Sequence, residues 1–439
     1  MFHSSNAVLP KDHPRLTNAW CSYDLANSVY NLTITATIFP VYYSASTRAA
    51  FGSDMVNFLG VTVKNSVLYT FAISFSFLVV VFLAPVLSGI ADYSGRKTRF
   101  MRFFTYMGAL SCISLFWFTG ENVAYGIFFA ILASIGYAGA LVFYNAFLPE
   151  IASEMQMNRV SARGFSMGYI GSVVLLIINL LVITFHEQLG LPSAAMATRI
   201  AFLTVGIWWF GFSHIAFHYL RDVPTHAQIN RNMLGKGFQE IKNVLATLRV
   251  KPNTIRFLLS FFFYSMGVQT VMLLAPLFGE QEVGMDGQKL ILVVLILQVV
   301  AIAGASLFAW LSDRIGNRMA IMVMLVCWMW VCVGGYFLEQ EQQFYLLAAL
   351  LGFVMGGIQS VSRSTFSKLI PETARNTASY FSFYDITEKI AIVLGTFSYG
   401  LIEQLTGSMR NSLLAMIAFF LGGFLVLAFT RMTKETRKA

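Results

Sequence analysis

Five ionisable residues fall inside stretches otherwise apolar enough to be buried in lipid: Asp24, Arg363, Asp385, Glu388 and Lys389. A charge at that depth costs roughly 2.5–3.5 kcal/mol on insertion scales. Such residues face a bundle interior or a wet cavity. Asp24 shares a helical face with Asn27 or Ser28 and with Asn31, at i, i+3 or i+4, and i+7. Gln359 and Arg363 lie one turn apart, and Asp385 lies one turn before both Glu388 and Lys389. At about 1.5 Å rise per residue, Arg363 and Asp385 come to similar depths. The spacing therefore predicts a charge network among Arg363, Asp385, Glu388 and Lys389. Its functional reading is a relay for a proton or for substrate charge, because desolvation favours the neutral form of a carboxylate. Its structural reading is a set of buried pairs that fixes helix packing. For Asp24 the choice is between contact with a ligand or gate and a local cap or ion pair.

The elements that must hold these residues follow from composition. Hydrophobic residues make up 57% of the 439-residue chain, charged residues 12%, and Phe fills 41 positions. Runs of about 20 apolar residues are what a hydrocarbon core of about 30 Å requires. Twelve such spans are expected, at 18–43, 66–91, 99–119, 122–148, 161–186, 196–220, 254–279, 288–312, 318–338, 343–370, 376–404 and 411–431. The start of the chain, through Leu16, is polar and lacks the apolar run of a secretory signal. Cys21, Cys112, Cys327 and Cys332 all sit in apolar segments without ligand-type spacing, so buried thiols are expected rather than disulfides or a metal site. No nucleophile–base pair, metal motif or phosphate loop is visible, which argues against an enzyme, a cofactor and an ATP-driven pump.

The net charge of +9 has a cause other than nucleic acid. With twelve spans both ends of the chain share one side, and 23 of the 30 Lys and Arg residues fall there. They include Lys11, Arg15, the Arg96/Lys97/Arg99/Arg102 cluster, the loop from Arg221 to Arg256, and Arg431 to Lys438. The opposite loops hold four, Arg48, Lys64, Lys289 and Arg410. Positive residues stay inside, so both termini are expected in the cytoplasm. The linker repeats Leu234, Phe238, Ile241, Leu245 and Leu248 at helical spacing among basic residues. It reads as an amphipathic helix on the inner leaflet, or else as a solvated linker helix.

A short turn occurs twice on that side. Asp92-Tyr93-Ser94-Gly95-Arg96-Lys97 and Asp313-Arg314-Ile315-Gly316-Asn317-Arg318 lie 221 residues apart. Pro149-Glu150 follows the first copy by 57 residues and Pro371-Glu372 follows the second by 58. Six helices thus recur as six in parallel orientation. The domain plan is a bundle at 1–220, a cytoplasmic linker at 221–253 and a second bundle at 254–439, with substrate expected between the bundles near mid-membrane.

The turn resembles the signature loop of the major facilitator superfamily, although Ser88 and Ala309 stand where that family has glycine four residues before the aspartate. The resemblance implies that Asp92, Gly95 and Arg96 hold the start of the eleventh span. Asp313, Gly316 and Arg318 would hold the start of the fifth, near Ser161, as a cytoplasmic gate. Three further stretches are more specific: Tyr23 to Ser28; Tyr144 to Glu150 with Ser161 to Phe165 and Gly168 to Gly171; and Gly356 to Ser364, running on to Pro371, Tyr384 and Lys389. They resemble the branch typified by the fungal vacuolar, autophagy-related amino-acid effluxer and its bacterial relatives. Leu25 stands where that branch commonly has Trp.

The fold class expected is therefore an all-α membrane protein of twelve helices in two parallel six-helix pseudo-repeats. The function expected is a secondary carrier for an amino acid or similar zwitterion, working by alternating access and coupled to protons. It would be a monomer in a bacterial inner membrane. The alternatives are a carrier of a larger peptide-like or cell-wall-derived solute and a non-transporting receptor. The pathway would be lined by Asp24, Asn27, Asn31, Tyr144, Asn145, Gln269, Gln359, Arg363, Tyr384, Asp385, Glu388 and Lys389, from spans one, four, seven, ten and eleven. Arg363 or Lys389 would face a carboxylate and Asp24 an amine.

Overall fold

The computed structural model describes residues 9–222 and 233–430. The basic stretch from Arg431 to Lys438 and the linker segment 223–232 lie outside the described residues. Every expected span is present as a helix. The first runs as α1 (Pro14–Val29), a π-helical turn (Tyr30–Thr37) and α2 (Ile38–Phe51). Spans two to six are α3 (Asn65–Ser94), α4 (Lys97–Ser114), α5 (Val123–Ala146), α7 (Met157–Thr184) and α8 (Ala194–Tyr219), with the short α6 (Leu148–Ile151) after α5. The linker helix is α9 (Met233–Val250). Spans seven to twelve are α10 (Pro252–Val283), α11 (Gly287–Ile315), α12 (Asn317–Tyr336), α13 (Glu341–Leu369), α14 (Thr377–Thr406) and α15 (Met409–Ala428). Ten of the twelve are long and apolar enough individually to cross a membrane. The two that fall short are the first, broken by its π-turn, and α14, which carries Asp385, Glu388 and Lys389. Those two bring Asp24, Asp385, Glu388 and Lys389 to the centre, where α13 adds Arg363.

The repeat is visible in which helices touch. In the first half α3 packs on α5, α4 on α5 and α8, and α1 on α7 and α8. In the second half α11 packs on α13, α12 on α13 and α15, and α10 on α14 and α15. These are the same five pairings shifted by six spans. The contacts between halves are symmetric too: α3 with α14 mirrors α11 with α7, and α5 with α14 mirrors α13 with α7. Two six-helix bundles are related by a pseudo-twofold.

Small residues let these helices approach, as packing in lipid requires. On α7 a Cβ added at Gly164 would lie 2.6 Å from Asp24 Oδ2, one at Gly168 2.5 Å from Ser28 Oγ, and one at Gly171 2.6 Å from the Leu25 carbonyl. α13 meets α11 the same way: a Cβ at Gly352 would lie 2.8 Å from Leu297 Cα, and one at Gly356 would strike the Ala301 backbone.

Two features differ from the sequence reading. The segment between α2 and α3, where the sequence reading placed no strand, contains an antiparallel hairpin, β1 (Met55–Phe58) with β2 (Val61–Lys64). Its turn places Leu59 and Gly60 at φ 51° and 86°. The π-turn was also not anticipated. Pro40 has no N–H for the carbonyl four residues back, and the helix widens just before it. The Thr37 hydroxyl donates to the Leu32 carbonyl at 2.7 Å, giving that carbonyl a donor.

The linker helix packs on the first bundle through Gly237, which approaches Gly89 and Ile90 of α3. Val244 and Leu248 are buried, whereas Phe238 and Leu245 are exposed. Of the apolar stripe read from the periodicity, Leu248 is turned to the protein while Phe238 and Leu245 face away from it. Cys21, Cys112 and Cys332 are buried free thiols and Cys327 is half-buried.

Overpacking a close helix contact costs about 1–3 kcal/mol. Gly356→Val is expected to lower the thermal unfolding midpoint of the purified protein. Gly400→Ala, at a position facing open space, is expected to leave it unchanged or raise it.

Candidate functional site

A cavity of about 210 Å³ opens between the bundles at mid-depth. α1 and the π-turn place Asp24, Ser28, Tyr30, Asn31 and Thr35 on its wall. α5 adds Ser134, Tyr137 and Asn145, and α10 adds Tyr264, Ser265 and Gln269. α13 contributes Gln359 and Arg363, and α14 contributes Tyr384, Glu388 and Lys389. Phe77 of α3 and Phe165 of α7 complete it, so spans two and five belong to the site as well as the five expected.

At the floor, Asp24 and Arg363 meet across the two bundles. Both are almost fully buried, at 4% and 3% exposure. Nη1 and Nη2 of Arg363 each donate to Asp24 Oδ2 at 3.2 Å, and the Tyr144 hydroxyl donates to the same oxygen at 2.7 Å. Arg363 also donates from Nε to Ser161 Oγ at 3.0 Å, from Nη2 to the Ser161 carbonyl at 2.9 Å and from Nη1 to Asn145 Oδ1 at 3.4 Å. Its guanidinium carbon lies 4.1 Å from the Phe165 ring centre and 4.7 Å from that of Trp20. Trp20 stacks on Tyr144 and donates its indole N–H to the Tyr144 carbonyl. A buried charge is tolerable only with this density of partners.

Across the cavity, Lys389 Nζ lies 3.5 Å from Asp385 Oδ1 and 3.5 Å from Glu388 Oε2. Gln269 Nε2 donates to Glu388 Oε1 at 2.9 Å. Lys389 also sits 5.4 Å from the Phe77 ring centre. The expected four-residue network is therefore two separate centres. Arg363 pairs with Asp24 of the other bundle, because residue depth along a helix says nothing about which way the side chain is rotated. Three other expectations are corrected. Tyr144 is fully buried and braces Asp24 through its hydroxyl rather than lining the cavity. Asn27 is fully buried and does not line the cavity; Ser28 takes that place. Asp385 stands behind Lys389 rather than on the wall. The Leu25 side chain packs at Gly171 of α7. Gln359 lines the site and accepts from the Tyr169 hydroxyl at 2.7 Å.

Toward the end that carries the duplicated turns, the bundles are tied together. Asp92 accepts from the backbone N–H of Ala378 at 3.2 Å and of Ser379 at 2.7 Å, at the open start of α14. The helix dipole is positive there. The basic residue that meets Asp92 is Lys97, where the sequence reading placed Arg96. Lys97 Nζ lies 3.7 Å from Asp92, bonds Glu150, and reaches Thr377 of the other bundle at 2.7 Å. The second copy works through side chains. Asp313 accepts from Asn158 at 2.9 Å and from Arg159 at 3.1 Å, at the start of α7. Asn158 and Asn317 exchange amide hydrogen bonds at 2.9 Å. Arg318 bonds the Ala428 carbonyl within its own bundle, so it does not hold the fifth span as expected. Ser161 bonds Arg363 and the Ser360 carbonyl instead of Asp313. Gly95 and Gly316 take positive φ, 66° and 86°, which glycine adopts without strain.

At the opposite end the ion pairs stay within a bundle: Arg48–Asp54, Lys289–Glu341 and Arg410–Glu282. Among the described residues no hydrogen bond or ion pair joins the bundles beyond the depth of the cavity. His214 bonds Tyr106 and its own helix at an exposed position. Asn179 accepts from Thr204 and serves packing.

Breaking a buried pair by removing one partner costs about 3–5 kcal/mol, because the other charge is left alone. Arg363→Ala is therefore expected to lower the unfolding midpoint more than the double variant Asp24→Asn/Arg363→Gln. Equal losses would mean that the pair does not bear on stability.

The family model described as vacuole effluxer Atg22 like matches residues 12–439. The uncharacterised MFS-type transporter YxiO of Bacillus subtilis is 33% identical over 419 residues, 94% of each chain. Autophagy-related protein 22 of Yarrowia lipolytica is 25% identical, covering 87% of this chain and 79% of its own. Among solved structures, the transporter FucP in its outward conformation superposes with a TM-score of 0.70 at 14% identity, covering 95% of this chain and 99% of FucP. The human organic anion transporter MFSD10 gives 0.67 at 14%, covering 95% of this chain and all of its own. A whole-length family match on a two-bundle, twelve-helix fold means that this chain belongs to the Atg22-like family of major facilitator superfamily transporters.

Proposed function

We propose that this protein is a proton-coupled secondary carrier for an amino acid or similar small zwitterion, and that it works by alternating access. One observation carries the reading. A polar cavity lies between two bundles that are hydrogen-bonded together on one side of it and, among the described residues, free of such bonds on the other. The bundles 1–220 and 254–439 are the moving bodies. The duplicated turns are the gate, with Asp92 and Asp313 as its two acceptors. The distribution of Lys and Arg supports assigning the turn end to the cytoplasm of a bacterial inner membrane. The conformation is then the one open to the outside. The linker helix α9 (Met233–Val250) lies against the inner leaflet.

The charge inventory supports a zwitterion. The cavity wall offers both signs, Asp24 and Glu388 with Arg363 and Lys389. Arg363 is already engaged by Asp24, Ser161 and Asn145, so a carboxylate meets Lys389 first and Arg363 only when its pair loosens. The volume of about 210 Å³ favours a small solute over the larger peptide-like class.

The test is flux in proteoliposomes preloaded or bathed with a mixture of labelled amino acids, with and without an imposed proton gradient. Exchange without a gradient and accumulation with one are expected, and a protonophore should abolish only the accumulation. Absence of amino-acid flux under both conditions would defeat the substrate assignment. Asp92→Ala, which removes the acceptor at the start of α14, is expected to impair net flux while leaving the protein folded. A wild-type rate in that variant would remove the turn from the gate.

A further inference from the structure

The residues of α9 sort into three faces when they are placed at about 100° per residue. Gly237, Val244 and Leu248 share the first face and are buried. Gly237 lies against Ile90 and the Val86 carbonyl of α3, and Gly89 of α3 meets the Gly237 backbone in return. Phe238, Lys242, Leu245 and Arg249 share the second face, about 110° round the helix from the first. All four are exposed, Phe238 by 52% and Leu245 by 39%. Ile241 lies between these two faces and is half-buried. Gln239 and Asn243 form the third face, exposed and hydrogen-bonded to each other at 3.2 Å.

Protein and water account for the first and third faces. The second is neither. It mixes bulky apolar residues with cations at i, i+4, i+7 and i+11, the pattern of a helix lying in a lipid interface. Lys and Arg stems can lie along the apolar stripe while their charged ends reach for phosphate. The depth agrees. Val86 and Ile90 belong to the apolar span of α3, within two turns of Asp92, so α9 rests where hydrocarbon gives way to headgroups. The sign of charge selects the lipid. Neither Lys242 nor Arg249 has a hydrogen bond or ion pair among the described residues. Glu240, the acidic residue of α9, lies on the far side of the helix from the stripe. An anionic surface is worth roughly a fivefold preference for each such cation, so the pair favours it over a neutral bilayer by roughly twenty-fivefold.

The position of α9 gives such binding a consequence. Besides α3 it touches α14 and α10 of the second bundle. Asp92 of α3 accepts from the first N–H groups of α14. α9 therefore lies across the two helices whose contact ties the turn end. We propose that Phe238, Lys242, Leu245 and Arg249 form a docking surface for anionic phospholipid, and that lipid held there favours the conformation in which the turn end is closed. The second half of the proposal rests on the alternating-access reading above; the docking surface does not. When α3 and α14 part, α9 cannot keep its contacts with both bundles, and the stripe tilts out of the leaflet. Lipid then binds the closed form more tightly, which is what a population shift requires.

The test uses the whole protein in nanodiscs of phosphatidylcholine alone, or of phosphatidylcholine and phosphatidylglycerol at two to one. A spin label at Leu245 or at Asn243, on a cysteine-free background, reports access to oxygen, which concentrates in lipid, and to a water-soluble nickel chelate. In the anionic discs the Leu245 label is expected in lipid and the Asn243 label in water. Equal water access at the two positions would overturn the docking surface. Lys242→Gln/Arg249→Gln is expected to return the Leu245 label to its depth in neutral discs, whereas Lys242→Arg/Arg249→Lys keeps the wild-type depth. An unchanged depth in the double Gln variant would overturn the anionic assignment. Glycerol phosphate added to neutral discs is expected to leave the label where it is; reproducing the effect of phosphatidylglycerol would replace the lipid surface with a site for a free phosphate ester. Labels at Glu154 and Thr373 read the turn end. The ratio of short to long distances is expected to rise several-fold in anionic discs for wild type and to stay level for the double Gln variant. Distances that respond to the amino-acid mixture but not to lipid charge would overturn the coupling. Distances fixed under every condition, with the Leu245 label still following lipid charge, would fault the alternating-access reading and leave the docking surface standing.

Discussion

The pairing of Asp24 with Arg363 is the constraint around which the centre of this molecule is built. Neither charge is tolerable alone at that depth, and each comes from a different bundle. The surroundings follow from it. Gly164 lacks a side chain because one would strike both partners. Trp20 and Phe165 cover the guanidinium, and Tyr144 and Ser161 fill the remaining hydrogen-bonding positions. Because the pair crosses the bundle interface, separating the bundles near it means finding other partners for two ions. That gives the molecule a reason to occupy discrete states rather than a continuum. Water or a zwitterionic solute can supply those partners from the cavity side.

The duplicated turn shows how one motif serves two chemistries. Asp92 uses the unsatisfied N–H groups at the start of α14, which any helix provides. Asp313 uses the side chains of Asn158 and Arg159, with an Asn158–Asn317 amide pair beside it. The backbone symmetry is kept and the bonding is not. Both arrangements sit on the same side of the cavity, and the other side relies on ion pairs internal to each bundle. That asymmetry, rather than any single contact, marks one end as closed.

Much of the architecture was legible because hydropathy reports burial along the chain directly. The spans, the repeated turn and the inward charges needed only that. The partner of Arg363 was not legible. Helical rise places Arg363 and Asp385 at one depth, but rotation about each axis decides what they face, and that is set by packing between spans far apart in sequence. Asn27 failed for the same reason: it and Ser28 are adjacent, and a rotation of one residue step decides which meets the cavity. Lys97 sat in the turn beside Arg96, and nothing local separates them. The hairpin left a readable trace in the alternation from Met55 to Lys64, which the surrounding apolar stretches masked. The π-turn's signal was Thr33, Thr35 and Thr37 ahead of Pro40, visible once hydroxyls are considered as donors to freed carbonyls.

The central claim is that two rigid bundles rock about the cavity, so that one end opens as the other closes. Distances between spin labels in lipid test it most directly. One pair sits at Glu154 and Thr373 on the turn end, the other at Glu121 and Gln281 on the far end, all exposed and in opposite bundles. Labels are introduced on a cysteine-free background and measured across pH with and without the amino-acid mixture. The account predicts two distance populations at each end, with lengthening at the turn end matched by shortening at the far end. A single fixed distance at both ends under every condition, or both ends moving in the same direction, would contradict it.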